Sequence, residues 1–181
     1  LETLGLLTTI AFDKTGTLTH GRPEVTDVVP ASASLSAEEL LTVAATVESR
    51  SGHPLAQAVV RAAQAKSLNL PSAGELTSYT GRGVSSTVNG NEVLIGNRKL
   101  FAEMNIAVPK AVQQELARRE GEGKTTMIVG IGKETAGALA LADTPRADAA
   151  ATIQKLKQLG IRQTLLLTGD NRLVGEKMRQ L

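Results

Sequence analysis

The residues best suited to covalent chemistry form one short segment near the start of the chain. Residues 13–19 read Asp-Lys-Thr-Gly-Thr-Leu-Thr and follow an apolar run over residues 6–12. A short apolar run bounded by turn residues predicts a buried strand, which would carry the Asp13 carboxylate to its C-terminal end. A carboxylate held there can attack a phosphoryl group while neighbouring hydroxyl and lysine donors hold the phosphate oxygens.

A second corner near the end of the chain has the same character. Residues 161–167 predict another buried strand, and Thr168, Gly169 and Asp170 follow it directly. Ligands bind at the carboxyl ends of strands in open parallel sheets, so two neighbouring strands would bring Asp13, Thr168 and Asp170 to one site. Asp13 would be the nucleophile, the Thr168 hydroxyl would bond the phosphate, and the Gly169 amide would approach it closely.

The predicted phosphate site also requires a cation. Mg²⁺ would neutralise the charges of carboxylate and phosphate. We expect Asp13 to supply one oxygen ligand and the backbone carbonyl of Thr15 to supply another. Asp, Thr and Gly are also common in ordinary turns, so a shorter match would indicate only a turn.

Composition excludes several classes of function. The 181 residues are 41% hydrophobic and 21% charged, and the net charge of +2 does not favour nucleic acid as a partner. The aromatic residues are Phe12, Tyr79 and Phe101, too few for the stacking platform of a single-strand binder. The absence of cysteine excludes disulfides and thiolate metal sites within the chain. No stretch approaches the roughly 20 apolar residues of a membrane span.

Local signals predict the elements between the two corners. Ser36 with Glu39 forms a capping-box pattern at the start of a helix that ends near residues 50–52. Pro54 begins a second helix, which runs to residue 66. Asn89-Gly90 predicts a hairpin between strands at 85–88 and 92–95. Further helices are predicted over 98–104, 109–120 and 146–159, and further strands over 24–29, 125–131 and 135–141, with a chain break at 21–23.

The ends of the chain therefore predict one architecture and the middle another. Strand, acidic loop and helix at each end suit a parallel sheet with helices on its faces. The hairpin-linked strands and helix pair suit an α+β domain on an antiparallel sheet. We infer that residues 1–27 and 142–181 form one α/β domain and that residues 28–141 form a second domain inserted into it.

Three ordered motifs resemble those of the P-type ATPases, the ion pumps that form an aspartyl-phosphate: residues 13–19, 143–146 and 168–171. The resemblance implies a haloacid-dehalogenase-like (Rossmann-like) phosphorylation domain, incomplete here, interrupted by a nucleotide-binding domain. It implies a catalytic role for Lys14, a hinge position for Asp143, and contact of Arg146 with nucleotide or hinge. Related soluble phosphatases carry an acid where this chain has Thr15, a poor general base, which favours a pump.

The inserted domain is similar to the nucleotide site of heavy-metal-transporting P-type ATPases. Residues 51–54 resemble their Ser-x-His-Pro signature, which implies that His53 lies beside adenine and Glu48 near its amino group. The resemblance implies ATP contacts from Glu48, Ser51, His53, Pro54, Gly81, Gly83, Gly96 and Asn97. Each feature alone also fits an ordinary helix start or turn. Because no aromatic residue is expected near His53, we predict modest affinity for ATP, about −4 to −8 kcal/mol.

The resemblance implies a larger parent protein that uses ATP and Mg²⁺. Hydrolysis through an aspartyl-phosphate on Asp13 would drive heavy-metal export across the plasma or inner membrane. This segment would be cytoplasmic and monomeric, and membrane helices and an actuator domain would lie elsewhere in the polypeptide. The family's later Gly-Asp-Gly-x-Asn-Asp motif does not occur, so we expect weak or absent phosphorylation of this segment.

Several alternatives stay open at this stage. Residues 11–12 and 142–144 look more like zinc, cadmium, lead or cobalt exporters, whereas residues 96–98 suit copper exporters equally. A soluble phosphatase of the same fold and a non-catalytic nucleotide sensor are the competing functions.

Overall fold

The computed structural model describes residues 7–167, and this part contains eight strands and five helices. The strands are β1 (Thr9–Asp13), β2 (Thr19–Pro30), β3 (Thr77–Tyr79), β4 (Gly83–Val88), β5 (Asn91–Gly96), β6 (Thr125–Ile131), β7 (Glu134–Pro145) and β8 (Gln163–Leu167). The helices are α1 (Ala37–Glu48), α2 (Pro54–Ala65), α3 (Arg98–Glu103), α4 (Lys110–Gly121) and α5 (Ala149–Gln158). A single π-helical turn, Lys14–Leu18, joins β1 to β2.

The strands form two separate sheets. β1 and β8 pair in parallel, and the other six strands form an antiparallel sheet in the order β2-β7-β6-β5-β4-β3. The long crossover between β1 and β8 contains the whole antiparallel sheet. This confirms the predicted fold class, an α/β unit interrupted by an α+β domain.

Helices cover both faces of the antiparallel sheet. Adjacent residues of a strand point to opposite faces, and β5 shows the consequence. Val93 and Ile95 belong to the core cluster that includes α1 and α2, whereas Leu94 belongs to the cluster that includes α3 and α4. The inserted domain therefore has three layers, two helices on each side of one sheet.

Several local predictions are confirmed. Ser36 caps α1 in a capping box: its Oγ accepts from the Glu39 amide (3.1 Å) and its amide donates to the Glu39 carboxylate (2.7 Å). Pro54 occupies the first turn of α2. β4 and β5 form the hairpin, with Val88 opposite Asn91 across the Asn89-Gly90 turn.

Two element predictions are wrong. β2 passes straight through residues 21–23, where the sequence predicted a break. A proline is tolerated there because β2 is an edge strand, and the register shifts between Thr19 and Pro23 absorb the irregularity. Helix α5 begins at Ala149 rather than residue 146, because the Arg146 amide donates to the Leu18 carbonyl (2.9 Å) outside any helix.

β2 and β7 continue beyond the antiparallel sheet as a two-stranded ribbon. The last pair between β6 and β7 is Thr125 with Leu141, whereas β7 pairs with β2 as far as Pro145 opposite Thr19. We call residues 19–24 and 142–145 the connecting ribbon. The domain boundaries inferred from the sequence, after residue 27 and before residue 142, fall within these two strands. None of the helices in residues 7–167 combines the length and the hydrophobicity that a transmembrane span needs.

Candidate active site

Asp13 is the last residue of β1 and lies at the carboxyl end of the parallel pair. It is exposed, and it pairs in register with Leu167, the last residue of β8. A carboxylate in this position is open to a reacting phosphoryl group. Thr168, Gly169 and Asp170, predicted to join Asp13, lie outside the described residues.

The π-turn that follows Asp13 is held from one side by Arg146. The Arg146 guanidinium donates from Nη2 to the carbonyl oxygen of Gly16 (3.2 Å) and from Nε to that of Thr19 (3.1 Å). Its backbone amide donates to Leu18. Arg146, assigned to nucleotide or hinge by the resemblance, thus contacts the backbone of the turn that follows the nucleophile. It does not line the cleft described below.

Asp143 joins the two strands of the connecting ribbon next to this turn. Its carboxylate accepts hydrogen bonds from the Thr19 hydroxyl and from the Arg22 amide (3.1 Å). The Thr19 Oγ1 also accepts from the Gly16 amide (3.3 Å), and Thr19 is fully buried. Sequence reasoning assigned no role to Thr19, the last residue of the first motif. Asp143 and Thr19 are 124 positions apart, so only the fold brings them together.

A second concave site lies in the inserted domain, remote in sequence from Asp13. It is a cleft of about 760 Å³, within the size range of small-molecule sites. The predicted ATP contacts that line it are Glu48, Ser51, His53, Gly81, Gly83, Gly96 and Asn97. Pro54 does not line it and instead starts α2. The α1–α2 connection, the β3–β4 turn and the end of β5 therefore converge on one cavity.

Glu48 is a buried carboxyl in the wall of the cleft. It is the last residue of α1 and is 3% exposed. Burial disfavours the charged form and raises the pKa of Glu48 to about 7. A carboxyl with a pKa this far from its ordinary value, in a cleft, is typical of a functional group.

His53 has a structural role in addition to its place in the cleft. It is the N-cap of α2, and its Nδ1 accepts a hydrogen bond from the Leu55 amide (3.2 Å). Because Nδ1 accepts, the proton of the neutral ring lies on Nε2. His53 is exposed, so this N–H remains available to a ligand.

Gly83 and Gly96 have a packing reason to lack side chains. A Cβ on Gly83 would lie 2.1 Å from the Ile95 carbonyl oxygen, and one on Gly96 would lie 2.5 Å from the Arg82 carbonyl oxygen. The two glycines let β4 and β5 approach each other beneath Leu100. Close packing of the two strands therefore requires both glycines, independently of the ATP contacts that the resemblance implies for them.

Asn97 connects two walls of the cleft. Its Oδ1 accepts from the Leu100 amide (3.1 Å) as the N-cap of α3, and its Nδ2 donates to the Gly81 carbonyl (3.3 Å). Tyr79 contributes to the cleft wall, but it packs against the core cluster of α3 and α4. Its hydroxyl lies 3.4 Å from the Ser85 hydroxyl.

One wall of the cleft carries basic residues that sequence reasoning did not single out: Arg82, Arg98 and Lys99. Arg82 pairs with Glu103, and Arg98 pairs with Glu120 (2.8 Å). Their clustering has no local sequence signal, because Arg82 lies on the β3–β4 turn and the others lie on α3.

The groups near Asp13 that could hold a cation are oxygen atoms, the ligands that Mg²⁺ prefers. Asp13 offers an exposed carboxylate, and Thr15 offers a backbone carbonyl in the adjoining turn. Within residues 7–167, no group of three or more His, Cys, Asp or Glu residues could hold a metal ion.

The chain belongs to the haloacid dehalogenase-like hydrolases, whose family pattern matches residues 7–180. Within that family it resembles the catalytic region of heavy-metal P-type ATPases. A cadmium-transporting ATPase of Staphylococcus aureus is 43% identical over 176 residues, which cover 94% of this chain and 24% of that protein. A copper-exporting P-type ATPase of Staphylococcus aureus (strain bovine RF122 / ET3-1) is 38% identical over 164 residues, 91% of this chain and 20% of that protein.

A solved structure shows the same relationship. The crystal structure of a zinc-transporting PIB-type ATPase in its E2.Pi state matches with a TM-score of 0.74 and 41% identity, over 99% of this chain and 28% of that chain. The chain therefore spans between 20% and 28% of the length of these relatives. The likenesses support the ATPase interpretation over that of a soluble phosphatase.

Proposed function

We propose that this chain binds ATP in the cleft of the inserted domain and presents its terminal phosphate to Asp13. The single observation that carries the proposal is the convergence of seven predicted ATP contacts on one cavity of about 760 Å³. These residues come from three separate connections, and the packing of Gly83 against Gly96 does not account for the presence of Glu48, Ser51 and His53 in the same cleft. The relatives are ATPases by name, which supports the same ligand.

Recognition of the base rests on Glu48 and His53. When ionised, the Glu48 carboxylate accepts a hydrogen bond from the amino group of adenine. His53 donates through Nε2–H, because its Nδ1 is already engaged by the Leu55 amide. Both side chains are anchored on helix ends of the same helix pair, which limits their motion.

In the full-length pump, the covalent step would take place at Asp13, whereas we expect weak or absent phosphorylation of this segment alone. A carboxylate oxygen of Asp13 attacks the γ-phosphorus of ATP, the bond from that phosphorus to the β,γ-bridging oxygen breaks, and ADP leaves with the electron pair. Lys14, Thr168 and the Gly169 amide hold the phosphoryl oxygens. Mg²⁺, bound by Asp13 and the Thr15 carbonyl, would neutralise charge on the phosphates.

Two domains carry these two sites. We propose that residues 1–27 and 142–181 form the phosphorylation domain and residues 28–141 the nucleotide-binding domain. The connecting ribbon joins them, and we propose that it is the hinge. Arg146 fastens this hinge to the π-turn at Gly16, and Asp143 joins the two strands of the hinge through Thr19. A change in the ribbon angle would therefore displace the turn next to Asp13.

The parent protein is a heavy-metal efflux pump of which this chain is the cytoplasmic catalytic part. Hydrolysis of the aspartyl-phosphate would drive metal export, and the membrane helices and actuator domain would lie elsewhere in the same polypeptide. Relatives named for cadmium, copper and zinc match at 38% to 43% identity, so the metal is not distinguished by these likenesses. We favour the zinc, cadmium, lead and cobalt group from residues 11–12 and 142–144.

Calorimetric titration of the 181-residue chain at pH 8 tests the nucleotide proposal. ATP is the ligand, and ITP, which has a carbonyl in place of the adenine amino group, is the matched control. We expect ATP to bind between micromolar and millimolar and ITP to bind at least roughly fivefold more weakly, because the ionised Glu48 cannot accept from a carbonyl. No heat at millimolar ATP, or equal binding of the two nucleotides, would refute the proposed base recognition.

A further inference from the structure

Within residues 7–167, one cation in the basic wall of the cleft, Lys99, has no carboxylate partner. Arg82, Arg98 and Lys99 all line the cleft. Arg82 is paired with Glu103 and Arg98 with Glu120. Over the described range 7–167, Lys99 makes no ion pair, and its side chain is exposed at the cleft.

The acids near this wall are already engaged. Glu120 is 7% exposed and accepts from both Arg98 (2.8 Å) and the Thr126 hydroxyl (2.6 Å). Its two oxygens therefore each have a strong donor, and the charge of the Arg98–Glu120 pair is internally balanced. The remaining acid in the cleft wall is Glu48, which belongs to the α1–α2 connection.

The cleft thus has two chemically different walls. The α1–α2 connection carries Glu48 and His53, hydrogen-bonding groups suited to a base. The start of α3 carries the uncompensated charge of Lys99. A nucleotide has a matching polarity, with a neutral base at one end and up to four negative charges at the other. An ammonium group attracts phosphate oxygens as a point charge, with no fixed geometry.

We propose that Lys99 is the contact that senses the number of phosphates on the bound nucleotide. This inference rests on the proposed ATP site. Lys99 attracts the β- and γ-phosphates at the mouth of the cleft, while Arg82 and Arg98 stay tied to their carboxylates and shape the wall. Lys99 thereby raises the affinity of the cleft for ATP relative to AMP. It also orients the phosphates away from the base.

Calorimetry with adenosine, AMP, ADP and ATP tests this on the 181-residue chain at low ionic strength. The variants are Lys99→Met, which removes the charge, and Lys99→Arg, which keeps it. Lys133→Met is the matched control, because Lys133 is exposed in the β6–β7 turn, does not line the cleft, and gives the same change in net charge.

We expect Lys99→Met to weaken ATP binding by roughly three- to tenfold and to leave adenosine within about twofold of the unsubstituted chain. The advantage of ATP over AMP should shrink in Lys99→Met and persist in Lys99→Arg and Lys133→Met. Added salt should weaken ATP binding less in Lys99→Met than in the other chains, since screening acts on the charge that it lacks.

The two possible failures are distinguishable. If adenosine and AMP bind but Lys99→Met keeps the full preference for ATP, the role of Lys99 is refuted and the proposed site stands. If no adenine compound binds the unsubstituted chain, the proposed function fails and this inference fails with it. Because Lys99 is exposed, unfolding midpoints of the variants should match and exclude misfolding as the cause.

Discussion

The guanidinium of Arg146 donates a hydrogen bond to the carbonyl oxygen of Gly16 across 130 positions of sequence, at 3.2 Å. Gly16 lies in the π-turn directly after Asp13, and Arg146 follows the connecting ribbon. The contact therefore ties the backbone around the nucleophile to the segment that supports the inserted domain. Arg146 also donates a second hydrogen bond, from Nε to the Thr19 carbonyl oxygen, so its guanidinium holds this backbone at two points.

Loosening this attachment should increase local opening of the π-turn. Arg146→Lys cannot reach both carbonyls with the planar fork of arginine. We expect amide hydrogens in residues 16–22 to exchange roughly fivefold faster, the effect of about 1 kcal/mol for a lost hydrogen bond. Hydrogen-exchange mass spectrometry measures this, with Arg162→Lys as the control. Unchanged exchange in residues 16–22 would mean that Arg146 does not hold the turn.

The free energy of unfolding should depend on pH through Glu48. Its pKa is about 7 in the folded chain and near 4.5 when exposed, so the folded state binds more protons between these values. The contribution of Glu48 to the free energy of unfolding should therefore be most favourable below pH 4.5. It should fall as the pH rises towards 7 and stay constant above that value. The full loss amounts to about 3 kcal/mol.

Glu48→Gln separates this contribution from the other titrating groups. The neutral isostere has no charge to bury, so it should be more stable than the unsubstituted chain at pH 8 and nearly equal to it at pH 5. Urea unfolding at the two pH values measures the difference. Parallel pH profiles for the two chains would show that Glu48 does not titrate in this window.

Two substitutions at His53 should separate capping from ligand contact. Asparagine is a good N-cap and alanine is a poor one, so His53→Ala should lose about 1 kcal/mol of stability while His53→Asn should not. Both lack the Nε2–H donor, so both should bind ATP more weakly by calorimetry. If His53→Asn bound ATP as the unsubstituted chain does, the ring would have no role beyond starting α2.

Gly81 and Gly83 should respond differently to alanine. At Gly83 a Cβ would meet the Ile95 carbonyl oxygen and the Gly96 Cα (2.6 Å), so we expect a loss of about 2 to 3 kcal/mol. At Gly81 the space is open, and the cost is that of a positive φ of +67°, about 1 kcal/mol. Thermal unfolding measures both. Equal losses of stability in the two variants would contradict the packing role of Gly83. Because substitution at Gly81 disturbs the fold less, ATP binding is better tested there.

Much of the fold could be predicted because its signals are local. The capping box at Ser36, Pro54 at the start of α2 and the Asn89-Gly90 turn each depend on residues within four positions of one another. The passage of β2 through Pro23 could not be predicted in this way. It depends on pairing with β7, more than a hundred residues further along the chain, and on the edge position of β2.

The candidate site likewise combines features that the sequence predicts with features that depend on long-range contacts. The residue types of Asp13, Glu48 and His53 indicate chemistry, and the resemblance predicted that Glu48, His53 and Gly81 share a ligand. The partners of Thr19 and the isolation of Lys99 carry no sequence signal. Both follow from which charges and hydroxyls the fold brings into contact.

The most direct test of the central claim is a titration of ATP into the ¹⁵N-labelled chain, followed by amide chemical shifts. We predict saturable shifts at Ser51, Gly81 and Asn97, with a dissociation constant between micromolar and millimolar and no shift at Gly132 in the β6–β7 turn. No change at millimolar ATP, or changes confined to residues away from the cleft, would contradict the account.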